Sequence, residues 1–123
     1  MRLQQTRLVT EDVPRLTAFY EAVTGAEKGR SGPGYVEFAS PCAGLAIVGA
    51  GAGAAYGEGV VVPGQNRSAI LDFEVADVDA EYERLKGLVG DWVLAPSTMP
   101  WGNRALLFRD PDGNLINMFA AVD

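Results

Sequence analysis

Phe73-Glu74-Val75-Ala76-Asp77-Val78-Asp79-Ala80 passes from the end of one structural pattern into the start of another. The residues up to Val75 close a β-rich run, Ala69 to Val75, and Asp77 stands where a helix needs an acceptor for its free N–H groups. From there Val78, Tyr82, Leu85 and Val89 share one helical stripe, Glu81, Glu83 and Arg84 lie on the exposed face, and Gly90 ends the helix. Val9-Thr10-Glu11-Asp12-Val13 repeats the junction, with Asp12 lying 65 residues before Asp77. Here Asp12 is the cap, Pro14 suits the first turn, Val13, Leu16, Phe19, Tyr20 and Val23 form the stripe, and Gly25 stops it.

Working outward, further runs with strand character are Leu3 to Val9, Gly34 to Phe38, Gly44 to Val48, Trp92 to Ala95, Arg104 to Arg109 and Leu115 to Ala120. The clearest reversal among them is Asp110-Pro111-Asp112-Gly113-Asn114. Phe38-Ala39-Ser40-Pro41 and Phe108-Arg109-Asp110-Pro111 are 70 residues apart, and Leu45 and Leu115 keep that offset. The chain is therefore an internal repeat in which each half reads strand, helix, strand, strand, strand. One domain, 1–123, is expected, with a first module over about 1–48, a Gly- and Ala-rich linker or flap over 49–67, and a second module over about 68–123.

Composition limits the chemistry. The 123 residues are 48% hydrophobic and 21% charged, as expected of a globular chain, and no apolar run approaches the ~18 residues of a membrane span. The opening Met1-Arg2-Leu3-Gln4-Gln5 lacks a secretory pattern, so a cytoplasmic location is expected. Histidine is absent, which removes imidazole-based catalysis and metal sites. Cys42, the single cysteine, forms no intrachain disulfide and reads as a small hydrophobe. A net charge of −6 without a basic cluster disfavours nucleic acid as a partner.

The two junctions, with Phe19-Tyr20-Glu21-Ala22-Val23-Thr24-Gly25, Pro100-Trp101-Gly102-Asn103-Arg104 and Phe108-Arg109-Asp110-Pro111-Asp112-Gly113-Asn114, resemble the vicinal oxygen chelate superfamily over essentially the whole chain. That superfamily contains glyoxalases, extradiol dioxygenases, fosfomycin-modifying enzymes and bleomycin-resistance proteins. The resemblance implies an α+β fold of two tandem βαβββ modules, with curled sheets around a concave cavity completed in a homodimer. It also implies positions for a catalytic divalent metal, which fall here on Gln5, Ile70, Asn117 and, by the 70-residue offset, Ile47. Two amide carbonyls and two hydrocarbons are a poor donor set for any divalent ion, so no metal or other cofactor is expected.

If those positions face the cavity, strand alternation places Gln5, Arg7, Ile70, Asp72, Glu74, Leu115, Asn117 and Phe119 on the concave side, joined through the repeat by Tyr35, Glu37, Ala105 and Leu107. Leu8, Leu71, Phe73, Val75, Ile116 and Met118 then face the helices. Met99 and Tyr56 are rim candidates, Tyr56 if the Gly-rich segment folds over the pocket. Trp101 is either a packing residue or a stacking surface, and Trp92 reads as core. Asp72 and Glu74 are either solvated or recognise a cationic or hydrogen-bonding ligand, while Arg7 is either a ligand contact or paired across the sheet. The function expected is a metal-free binding protein that sequesters a sizeable aromatic or cationic small molecule, most concretely an antibiotic. The alternative is a metal-independent lyase, isomerase or transferase with Glu37, Asp72 or Glu74 as general base.

Overall fold

Both aspartates cap the helices assigned to them. Asp12 Oδ1 accepts from the Arg15 amide at 3.1 Å, and Asp77 Oδ1 accepts from the Ala80 amide at 3.0 Å. These contacts come from a computed structural model that describes residues 1–40 and 44–122, so Cys42 lies outside the described residues. The chain divides into two compact units, Met1–Gln65 and Asn66–Asp123.

The first unit runs β1 (Gln5–Thr10), α1 (Val13–Thr24), β2 (Lys28–Gly32), β3 (Tyr35–Phe38) and β4 (Gly44–Gly49). Its sheet has the order β1-β4-β3-β2, with β1 parallel to β4 and the other pairs antiparallel. The second repeats the plan with β5 (Ile70–Glu74), α3 (Val78–Leu85), β6 (Trp92–Thr98), β7 (Asn103–Arg109) and β8 (Leu115–Ala121), ordered β5-β8-β7-β6 with β5 parallel to β8. The fold is thus α+β, two tandem βαβββ modules. No helix among the described residues is long and apolar enough to cross a membrane.

Each helix buries its stripe on its own sheet. In the first unit Leu16, Tyr20 and Val23 of α1 are buried with Leu8, Phe38 and Ile47, and the Tyr20 and Phe38 rings lie 6.4 Å apart. In the second, Val78 and Leu85 are buried with Leu106, Phe108, Ile116 and Met118. Trp92 stands edge-on between Tyr82 and Phe108, at 4.9 and 5.3 Å, and is half-buried at the margin of the core rather than inside it. Each such aliphatic side chain contributes roughly 1.5–3 kcal/mol by leaving water. A bidentate contact at 2.9 and 2.7 Å from Arg104 of β7 to Asp79 further ties α3 down, and this hydrogen-bonded guanidinium holds the Asp79 carboxyl below its ordinary pKa.

Four features differ from the sequence reading. The β2 strand, Lys28-Gly29-Arg30-Ser31-Gly32, has no apolar alternation to announce it, because every residue in it is exposed on an edge. Helix α3 stops at Leu85 rather than Gly90. The Leu88 and Val89 amides turn back onto the Leu85 carbonyl at 2.8 and 2.9 Å, which keeps Val89 buried without continuing the helix. The segment assigned to a linker or flap opens with α2 (Ala50–Gly53) and a 3₁₀ turn, Ala54–Tyr56, and the first unit includes it up to Gln65. A Cβ at the buried Gly53 would meet Val61 Cγ2 at 2.5 Å, so a larger residue there requires the Val61 side chain to move.

The fourth difference corrects Ile47. It is 0% exposed and pairs with Leu8 and Val36, which puts it on the face covered by α1. Ladder partners share a face, and the counterpart of the Asp72–Asn117–Leu107 row is Arg7–Ala46–Glu37. Six residues separate the paired Phe38 and Leu45, but seven separate Phe108 and Ile116. The offset therefore grows by one across this turn, Leu45 corresponds to Ile116 rather than Leu115, and a slip of one residue reverses every side chain.

The longer turn is held by Asp110, which is buried. Its Oδ1 accepts from the amides of Asp112 and Asn114, both at 2.9 Å, and its Oδ2 accepts from Asn114 Nδ2 at 2.8 Å. Asp110→Ala strands these donors and should lower unfolding stability by about 2–3 kcal/mol, read as a shifted denaturation midpoint with an unchanged m-value.

Candidate functional site

The face of the second sheet away from α3 carries Ile70 and Asp72 of β5, Leu107 and Ala105 of β7, and Asn117 of β8 in neighbouring rows. Between β6 and β7 the chain reverses tightly. The Met99 amide donates to the Asn103 carbonyl at 2.7 Å, the Gly102 amide donates to the Met99 carbonyl at 2.9 Å, and Gly102 takes φ = 102°, a conformation that favours glycine. This reversal projects Trp101, whose surface is 75% exposed. Ile70, Met99, Trp101, Asn103, Ala105, Leu107 and Asn117 together line a cavity of about 190 Å³.

Its lining is mostly apolar. The polar groups are the amides of Asn103 and Asn117, and Asn117 Nδ2 donates to Asp72 Oδ1 at 3.0 Å. Asp72 is exposed at the cavity edge, and Glu74 pairs with Phe119 one row further along the same face, outside the lining.

A separate cavity of about 190 Å³ belongs to the first unit and is lined by Arg7, Val9, Val48, Gly53, Tyr56 and Val61. Arg7 Nη1 donates to the Tyr56 hydroxyl at 2.8 Å, and the guanidinium carbon lies 5.3 Å from the ring centroid. The partner of Arg7 is therefore a phenol brought in by the Gly-rich segment, not a carboxylate across the sheet.

Of the fourteen residues singled out from sequence, Ile70, Met99, Trp101, Leu107 and Asn117 meet in one cavity, and Arg7 and Tyr56 meet in the other. Tyr35 donates its hydroxyl to Glu37, and this half-buried pair lines neither. Gln5 is half-buried at the start of β1, beside Gly44, and Ile47 is core. Alternation from Ala105 and Leu107 also reaches Asn103, which the sequence reading omitted. Val9, Val48, Gly53 and Val61 depend on the path of the 49–67 segment, for which alternation offers no rule.

With the register corrected, the positions that the family resemblance assigns to a metal are Gln5, Ala46, Ile70 and Asn117. Alanine and isoleucine supply no donor atom, so this set does not fit a divalent ion. Among the described residues no group of three or more Cys, Asp or Glu could hold one either.

Comparison with known proteins agrees with the architecture. Over its full length the chain resembles a glyoxalase/bleomycin resistance protein/dioxygenase from Nocardioides, at 25% identity, 85% coverage of that chain and a TM-score of 0.82. A protein of unknown function from Agrobacterium tumefaciens str. C58 is 26% identical, with 99% of this chain and 95% of that one aligned and a TM-score of 0.85. A lactoylglutathione lyase from Agrobacterium tumefaciens shares the fold at 22% identity, 97% and 92% coverage and a TM-score of 0.74. No curated protein matches. The sequence profile of the Glyoxalase/Bleomycin resistance protein/Dioxygenase superfamily covers residues 2–118, and the chain belongs to that superfamily.

Proposed function

We propose that this chain is a metal-free binding protein that takes a sizeable planar molecule, aromatic or cationic, into the cavity of the second unit. An antibiotic held away from its target is the most concrete ligand class, and a cytoplasmic homodimer is the assembly proposed. The observation that carries this reading is Trp101, an indole 75% exposed at the mouth of a cavity walled by Ile70, Met99 and Leu107. Exposed apolar surface of that size beside a concave apolar wall favours stacking of a flat ring. The net charge of −6, with Asp72 and Glu74 exposed on the same face, favours cations over anions.

The alternative with a carboxylate as general base has less support. A base tuned toward neutrality needs desolvation, yet Asp72 and Glu74 are exposed, and Asp72 is already occupied by the Asn117 amide. Glu37 is half-buried but engaged by the Tyr35 hydroxyl.

Two outcomes test the proposal. Dialysis against a chelator should leave the melting temperature unchanged, and elemental analysis beforehand should find no stoichiometric metal. One tightly held ion per chain contradicts the metal-free reading. Proflavine, a planar aromatic cation, should bind in calorimetric titration. Trp101→Ala should weaken that binding by ~1–3 kcal/mol while changing unfolding stability by less than about 1 kcal/mol, because little of the indole is buried. A large stability loss with unchanged affinity removes Trp101 from the site.

A further inference from the structure

The planar-ligand reading makes no use of the first-unit cavity, whose lining is chemically uneven. Val9, Val48 and Val61 give it branched hydrocarbon walls, and the polar side chains in its lining are Arg7 and Tyr56. Both residues are exposed, so solvent and solutes reach them. Arg7 spends Nη1 on the Tyr56 hydroxyl at 2.8 Å, which leaves the Nε–Nη2 edge of the guanidinium with no acceptor among the described residues. That edge carries two parallel N–H groups, the arrangement a carboxylate accepts side-on. The Tyr56 oxygen accepts from Arg7, and its own proton likewise meets no acceptor among the described residues. No carboxylate among them forms an ion pair with Arg7. Glu37 shares its row but lies across Ala46 and is engaged by the Tyr35 hydroxyl.

We infer that the first unit holds a separate site for a monocarboxylate with a short branched hydrocarbon tail. The carboxylate takes the free guanidinium edge and accepts from the Tyr56 hydroxyl, while the tail lies among Val9, Val48 and Val61. A net charge of −6 opposes anions at long range, so affinity here comes from contact: charge-assisted hydrogen bonds at one end and apolar burial at the other. A head group without a tail gains only the first. The Gly-rich segment thereby acquires a role, since its short helix and 3₁₀ turn bring Tyr56 to Arg7 and it supplies Val61 as a wall. This site is independent of the planar-ligand reading.

The probes are 4-methylpentanoate, 4-methylpentanamide, which keeps the tail without the charge, and acetate, which keeps the head group without the tail. In a titration of the isotope-labelled whole chain followed by nuclear magnetic resonance, 4-methylpentanoate should shift the signals of Val9, Val48, Tyr56 and Val61 with one dissociation constant. It should bind about tenfold tighter than either other probe. Arg7→Gln should abolish the preference for the acid over the amide, and Tyr56→Phe should weaken acid binding about threefold without changing amide binding. Tyr56→Phe keeps the ring, so it decides the matter even if Arg7→Gln does not fold. Saturating 4-methylpentanoate should leave the affinity for proflavine unchanged. Absence of binding, equal affinity for the acid and either other probe, shifts at Ile70 and Leu107 instead, or an acid preference that survives Arg7→Gln or is untouched by Tyr56→Phe overturns the inference. Competition with proflavine overturns it as well, by placing both molecules in one site.

Discussion

The register of β8 against its two neighbours decides what each face of the second sheet carries. Because β8 pairs in parallel with β5 and antiparallel with β7, Asn117 falls in one row with Asp72 and Leu107, while Ile116 and Met118 turn toward α3. Shifting that ladder by one residue would bury an amide under the helix and expose two core side chains. The Asp110 turn sets the register from one end. The cap at Asp77, which fixes where α3 begins, lets Val78 and Leu85 reach the hydrophobic face. The cavity is a by-product of these constraints. Once the apolar residues have gone to the helix side, what remains in the central rows is a short set of small, aliphatic and amide side chains.

The same constraint explains which parts of the molecule were legible in the sequence. Helix starts were, because an aspartate before an apolar stripe has a direct geometric meaning at Asp12 and Asp77. The faces of β5 and β8 were, because alternation there is strict and one set is continuously apolar. Ile47 was misplaced by an offset carried across a turn that is one residue longer in the second half, and no periodicity within a strand reports the length of the turn before it. The β2 strand left no trace, since an exposed edge of Lys, Gly, Arg and Ser carries no burial signal. The path of the 49–67 segment was equally silent. Its glycines and alanines carry little pattern, and the contact that brings Tyr56 to Arg7 links residues 49 apart in sequence.

Membership of the superfamily, the fold and the cavity leave the chemistry to be read from side chains, since one scaffold serves many activities. Here the positions expected to ligate a metal are filled by amides and hydrocarbons. The second-unit cavity is lined by the Trp101 indole, aliphatic side chains and the two asparagines.

The most direct test is nuclear magnetic resonance of the isotope-labelled chain titrated with proflavine. If the second-unit cavity is the binding site, backbone amide and side-chain signals of Ile70, Met99, Trp101, Leu107 and Asn117 should shift together with one dissociation constant, while those of Leu8, Phe38 and Ile47 should stay in place. Shifts confined to the first unit, or a spectrum unmoved at saturating ligand, would contradict the account.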